Sequence, residues 1–87
     1  MVLYKLVIDK RVRKKDLPRV PPKLRLKIAE TIGSLRLNAR PEGAIKLTNR
    51  EEYRLRRGNW RILYVVNDKK RLVEVRTVKH RSGAYKP

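Results

Sequence analysis

Residues 53–64 read Tyr53-Arg54-Leu55-Arg56-Arg57-Gly58-Asn59-Trp60-Arg61-Ile62-Leu63-Tyr64, two strand-like runs either side of a Gly-Asn pair. Successive side chains on a strand point to opposite faces, so alternation sorts the stretch. Tyr53 and Leu55 share one side of the first run, Arg54 and Arg56 the other. In the second run Trp60, Ile62, Tyr64 and Val66 make the more apolar side, leaving Arg61, Leu63 and Val65 opposite. A tight turn at Gly58-Asn59 closes the two runs into a hairpin. It also brings Arg61 close to Arg54 and Arg56.

Outward from that hairpin the chain keeps its period of two. Asn67-Asp68-Lys69-Lys70 predicts a second hairpin turn, leading into a last strand from Arg71 to about His80. Upstream, Ala44 to Leu47 and Glu52 to Arg57 read as two strands, after a loop at Asn38-Ala39-Arg40-Pro41-Glu42-Gly43. Before the loop the period changes. Leu24, Ile28, Ile32 and Leu35 make one stripe at helical spacing, predicting a helix from Lys23 to about Asn38. Pro21-Pro22 suits its first turn. Val2 to Ile8 reads as a first strand, and Asp9 as the cap of a short basic helix from about Lys10 to Asp16. Leu17-Pro18 is expected to end that helix, because a residue before proline is pushed out of the α region. The predicted order is β-α-α-β-β-β-β. It is an α+β fold, with two N-terminal helices on one face of a mainly antiparallel sheet, and residues 1–87 form a single domain.

Charge narrows the function. The 87 residues carry 25 Lys plus Arg against 8 Asp plus Glu, a net of +17. Self-repulsion on that scale works against the compact state, so a polyanionic partner is the natural explanation. No basic helix carries a large apolar insertion face, which argues against a membrane surface as that partner. No cysteine, one histidine and eight acids give no thiol nucleophile and no set from which a conventional zinc or magnesium site is built. The opening residues form neither a signal peptide nor a span, and a cytoplasmic protein is expected. Several guanidiniums on one sheet face, with Arg81 closing the last strand and Tyr85 beyond it, suit single-stranded RNA: cations for phosphate, an aromatic for bases.

These residues carry a resemblance. The stretch 53–64 is similar to the hairpin of RelE toxins, in which Tyr precedes alternating Lys or Arg, then Gly, an aromatic, Arg and Tyr. Val78-Lys79-His80-Arg81-Ser82-Gly83-Ala84-Tyr85 resembles their closing segment, His-Arg followed by Tyr. Length and element order are similar as well. The resemblance to the RelE/ParE superfamily implies a type II toxin, held inactive by a RelB-type antitoxin. It implies a ribosome-dependent endoribonuclease that cuts mRNA in the A site with neither metal nor other cofactor. The 2′-hydroxyl attacks the adjacent phosphodiester, giving a 2′,3′-cyclic phosphate and a 5′-hydroxyl end.

By position, the resemblance implies that Arg61 stabilises the phosphorane-like transition state and Arg81 supports the leaving 5′-oxygen. Tyr85 would stack on a base. Arg54 and Arg56 fall where the family often has lysine. An arginine holds its proton too tightly to act as a general base, so that role has no assigned residue. His80 is a second-tier catalytic candidate, since its ordinary pKa suits acid–base work near neutrality, although its parity opposes Arg81. Arg57 and Lys79, beside these positions, are read as further RNA-binding cations. Two other readings share the same residues: a ParE-like inhibitor of DNA gyrase, and a non-catalytic RNA- or ribosome-binding module.

Overall fold

The computed structural model describes residues 3–82. Its elements are β1 (Lys5–Ile8), a π-helical turn (Val12–Asp16), α1 (Leu17–Arg19), α2 (Pro22–Ser34), β2 (Ile45–Lys46), β3 (Tyr53–Arg57), β4 (Trp60–Asn67) and β5 (Leu72–His80). The strands form one five-stranded sheet in the order β1-β5-β4-β3-β2. β1 runs parallel to β5 and every other neighbouring pair is antiparallel. The expected α+β fold is what the chain adopts.

The core lies between the helices and one sheet face. Val12, Val20, Ile28, Ile32 and Leu35 come from the helical layer; Leu55, Trp60, Ile62, Tyr64, Val73, Val75 and Val78 come from the sheet. Burying each aliphatic side chain fully contributes roughly 1.5–3 kcal/mol. Tyr64 is wholly buried and stacks on Tyr53, with ring centroids 5.7 Å apart. Its hydroxyl donates to the Ala39 carbonyl at 2.8 Å, so the loop after α2 is tied to the sheet. Burial, with the neighbouring Tyr53, pushes the Tyr64 phenol up to about 12.

Both hairpins form where the sequence placed them. Gly58 has φ +58° at the first central position of the β3–β4 turn, the type II′ pattern, whose twist matches that of the strands. The β4–β5 turn closes with Arg71 in the left-handed region, at φ +51°. Beside this turn Arg40 forks onto Asp68, with NH1–Oδ1 at 3.1 Å and NH2–Oδ2 at 2.8 Å. The Tyr4 hydroxyl also donates to Asp68, at 2.6 Å. Bonding to Arg40, and then to Tyr4, pulls the Asp68 carboxyl down to about 2.

The helical layer departs from expectation twice. Leu17, although followed by proline, has φ −61° and ψ −39°, and the helix passes through Pro18 to Arg19. The proline is accommodated by the wider turn before it, in which Leu17 N–H bonds back to the Val12 carbonyl. That spacing relieves the clash a proline ring makes with the carbonyl four residues earlier. The long helix ends at Ser34 rather than near Asn38. Leu35 still turns into the core, while Leu37 is 62% exposed and adds nothing to the apolar stripe.

Candidate nucleic-acid interface

Among the described residues no helix lies over the second sheet face. Cross-strand register places Arg56 opposite Arg61 on β4, and Arg61 opposite Lys79 on β5. Directly opposed side chains sit about 4.5–5.5 Å apart at Cβ, so three cations form one row across three strands. Arg54 shares this face one step along β3, opposite Leu63. Arg81 continues the parity of Lys79, and its N–H donates to the Asn59 carbonyl at 2.7 Å. That bond fixes its backbone beside the β3–β4 hairpin.

No carboxylate of the described residues meets the row. Among the described residues the ion pairs are Arg40–Asp68, Arg50–Glu52 and Arg76–Glu74, and none involves Arg54, Arg56, Arg61, Lys79 or Arg81. Arg61 is half-buried, and its Nε is shielded from solvent and finds no hydrogen-bond partner among the described residues. Like charges directly opposed on a sheet destabilise it. A protein keeps such a row at a cost to its own stability, which an incoming anion would remove.

A β-bulge makes this face possible. Leu63 pairs with Thr77 but Tyr64 pairs with Val75, leaving Arg76 as an extra residue on β5. Before it, Val73 and Val75 point to the core. After it the parity inverts: Val78 and His80 face inward, and Thr77, Lys79 and Arg81 face the open side. Bulges re-aim side chains in this manner near functional sites.

Two candidate residues lie elsewhere. Arg57, read from sequence as an RNA-binding cation, is on the helix side, where its Nε donates to the Thr31 hydroxyl at 2.7 Å, so the structure does not bring it to the cationic row. His80 also lies on that side, edge-on to Trp60 with ring centroids 5.2 Å apart, and its Nδ1 contacts the Ser82 hydroxyl at 2.7 Å. It has the setting of a packing residue and does not reach the cationic row. Tyr85 lies outside the described residues. Thus Arg54, Arg56, Arg61, Lys79 and Arg81 are brought to one face, and Arg57 and His80 are not.

The face offers fixed positive charge, and one member, Lys79, whose type can exchange a proton where an arginine does not. The Arg56–Arg61–Lys79 row can hold a phosphodiester and stabilise negative charge developing on it. Fold and face therefore define a small α+β protein with a row of cations on one sheet face. The sequence model of the family described as the ParE toxin of type II toxin-antitoxin system, parDE, matches residues 7–85. A protein of Methanocaldococcus jannaschii, provisionally named toxin RelE1, is 36% identical over 87 residues, covering 95% of this chain and 96% of its own. The archaeal RelE–RelB complex of Pyrococcus horikoshii superposes with a TM-score of 0.80 at 28% identity, covering 93% of this chain and 98% of that one. The toxin–antitoxin complex RelBE2 of Mycobacterium tuberculosis gives 0.79 at 27%, covering 94% and 95%. The chain belongs to the RelE/ParE superfamily, the toxins of type II toxin–antitoxin systems.

Proposed function

We propose that this toxin is a ribosome-dependent mRNA endoribonuclease, working in the cytoplasm. The observation that carries the reading is the row Arg56–Arg61–Lys79, flanked by Arg54 and Arg81, on a sheet face that no helix covers and no carboxylate pairs among the described residues. A phosphodiester lying across the row meets cations from three strands at once, two guanidiniums and one ammonium. The neighbouring 2′-hydroxyl loses its proton to water and bonds to phosphorus, the bond to the 5′-oxygen breaks and that oxygen takes up a proton from water as a 5′-hydroxyl, and a 2′,3′-cyclic phosphate remains on the upstream fragment. Arg61, at the centre of the row, stabilises the charge that grows on the non-bridging oxygens. Arg81 supports the leaving oxygen, and Tyr85 stacks on a base. Positioning by the ribosome supplies much of the acceleration, since holding reactants in line lowers the barrier without a strong base.

The partner that restrains the toxin is an acidic, RelB-type antitoxin. Relatives of this chain have been solved with RelB, and a face this basic would associate quickly with an acidic segment. Alanine at both Arg61 and Arg81 is expected to abolish growth arrest in cells while the purified variant keeps its circular dichroism. Full toxicity in that double variant would end the assignment. A second reading, inhibition of DNA gyrase, draws support from the ParE description of the matching family. Under it, induction would give gyrase–DNA adducts and an SOS response with mRNA intact.

A further inference from the structure

We infer that His80 is a positioning residue: its Nδ1 accepts from the Ser82 backbone N–H and holds the peptide that follows Arg81, which directs that guanidinium along the cationic face. The inference rests on the proposed function for its effect on cleavage; the hydrogen bond itself does not.

β5 is bordered by β1 only as far as Val75, the partner of Ile8. Past that point its backbone keeps β4 on one side and takes other partners on the vacated side. There Val78 N–H donates to the buried Asp16 carboxylate, 2.9 Å from Oδ2. Arg81 N–H, on the β4 side, donates to the Asn59 carbonyl at 2.7 Å. Ser82 N–H then turns back to His80 Nδ1 at 3.2 Å, and the Ser82 hydroxyl oxygen lies 2.7 Å from the same nitrogen. An amide N–H can only donate. The lone pair of Nδ1 therefore faces Ser82, and the proton of the neutral ring is on Nε2. The hydroxyl is a second donor to the same atom.

The ring is itself held. Trp60 is the cross-strand partner of His80, next to the hydrogen-bonded Asn59–Arg81 pair, in the position where opposed side chains come closest. The two rings meet edge-on with centroids 5.2 Å apart, and Trp60 is 7% exposed. Core packing thus fixes the imidazole, and the imidazole fixes the Ser82 amide. Peptide units are planar, so the bonds at Arg81 N–H and Ser82 N–H settle the planes on both sides of the Arg81 α-carbon. The Cα–Cβ direction of Arg81 follows from them. Arg81 is exposed and pairs with no carboxylate of the described residues, so its direction comes from its backbone. His80 touches no reacting atom; it acts through Arg81.

Two substitutions in the full-length chain separate the acceptor from the ring. His80→Asn places Oδ1 where Nδ1 stands and loses the ring; asparagine makes the same bond to the amide two residues on. His80→Phe keeps a ring against Trp60 and loses the acceptor. The net weight of a neutral hydrogen bond corresponds to about 2- to 10-fold in a conformational equilibrium. H80F should melt close to the wild type, and its single-turnover mRNA cleavage should fall by about that factor with ribosome affinity held. H80N should melt lower and cut at the wild-type rate per folded molecule. The Ser82 amide should exchange more slowly in wild type and H80N than in H80F, and 15N spectra of the neutral ring should show the Nε2–H tautomer. H80F cutting like the wild type, H80N cutting no better than H80F, or an Nδ1–H tautomer would overturn the inference. Equal loss in both variants is what an acid–base histidine would give. If H80F does not fold, slow Ser82 exchange shared by wild type and H80N supports the inference, and free exchange in the wild type overturns it. A wild type that cuts no mRNA, with tautomer and exchange as expected, would retire the functional reading and leave the hydrogen bond standing.

Discussion

Replacing Arg61 with methionine should make the free protein more stable while destroying its activity. Arg61 faces Arg56 on one side and Lys79 on the other, and each opposed like-charge pair on a sheet costs about 0.2–1 kcal/mol. Relief from two pairs comes to about 0.4–2 kcal/mol. The lower half of that range is the better expectation, because Arg56 is exposed and partly screened. Methionine keeps most of the packing of the arginine stem and leaves no polar Nε buried without a partner. A gain near 1 kcal/mol would raise Tm by about 4–8 °C in a domain of this size. The assay is differential scanning calorimetry of wild type and Arg61→Met at low and at high salt. The gap in Tm should narrow as salt rises, since screening weakens the repulsion being removed. The same substitution should lower cleavage by about 10²–10³-fold, the usual loss for one donor to a developing oxyanion. A variant that melts below the wild type at low salt would show that the row is not under electrostatic load, and the argument for an anion site would lose its basis.

Other expectations follow from particular contacts. Arg57→Gln should leave mRNA cleavage unchanged, and Arg54→Gln should reduce it; equal losses would mean that both sheet faces take part. Tyr64→Phe removes the bond to the Ala39 carbonyl and should cost about 1–3 kcal/mol in urea unfolding, without altering cleavage per folded molecule. Asp68 titrates lower in the fold than its ordinary value of 3.8, so its stabilising contribution is present above pH 4 and is lost as pH falls toward about 2. Asp68→Asn should flatten that part of the stability–pH curve, and a curve with the same acid limb would refute the role of Arg40. Ile28→Ala, in the middle of the core, should cost about 2–5 kcal/mol by thermal unfolding.

Much of this architecture is legible in the sequence, because its two periods are clean. Alternation through Tyr53–Tyr64 separates core from open face, and Gly58-Asn59 marks the reversal. The stripe Leu24, Ile28, Ile32, Leu35 finds α2, but its end is blurred: Leu37 continues the apolar pattern in composition and not in space. Pro18 misleads because the rule for the residue before proline assumes ordinary α spacing, and the π-helical turn before it changes that spacing. Alternation applied strand by strand puts Arg57 with Leu55, yet charge alone groups it with Arg54 and Arg56. The bulge and Asp16 are the readings missed. A signal for the first exists: Val73, Val75 and Val78 step by two and then by three. Asp16 is the one acid in the run Lys10 to Arg19, and it stands four residues after Val12. That spacing places it on the buried side of a helical turn. Which strand it serves depends on where β1 stops against β5, a long-range fact that local pattern does not encode.

The central claim is tested most directly by primer extension on mRNA from a translating extract, with and without the purified protein. The account predicts discrete new 5′ ends inside codons, lost when translation is blocked beforehand and lost with Arg61→Met. Intact mRNA in the presence of folded, ribosome-bound protein would contradict it, and the cationic face would then be a binding surface without chemistry.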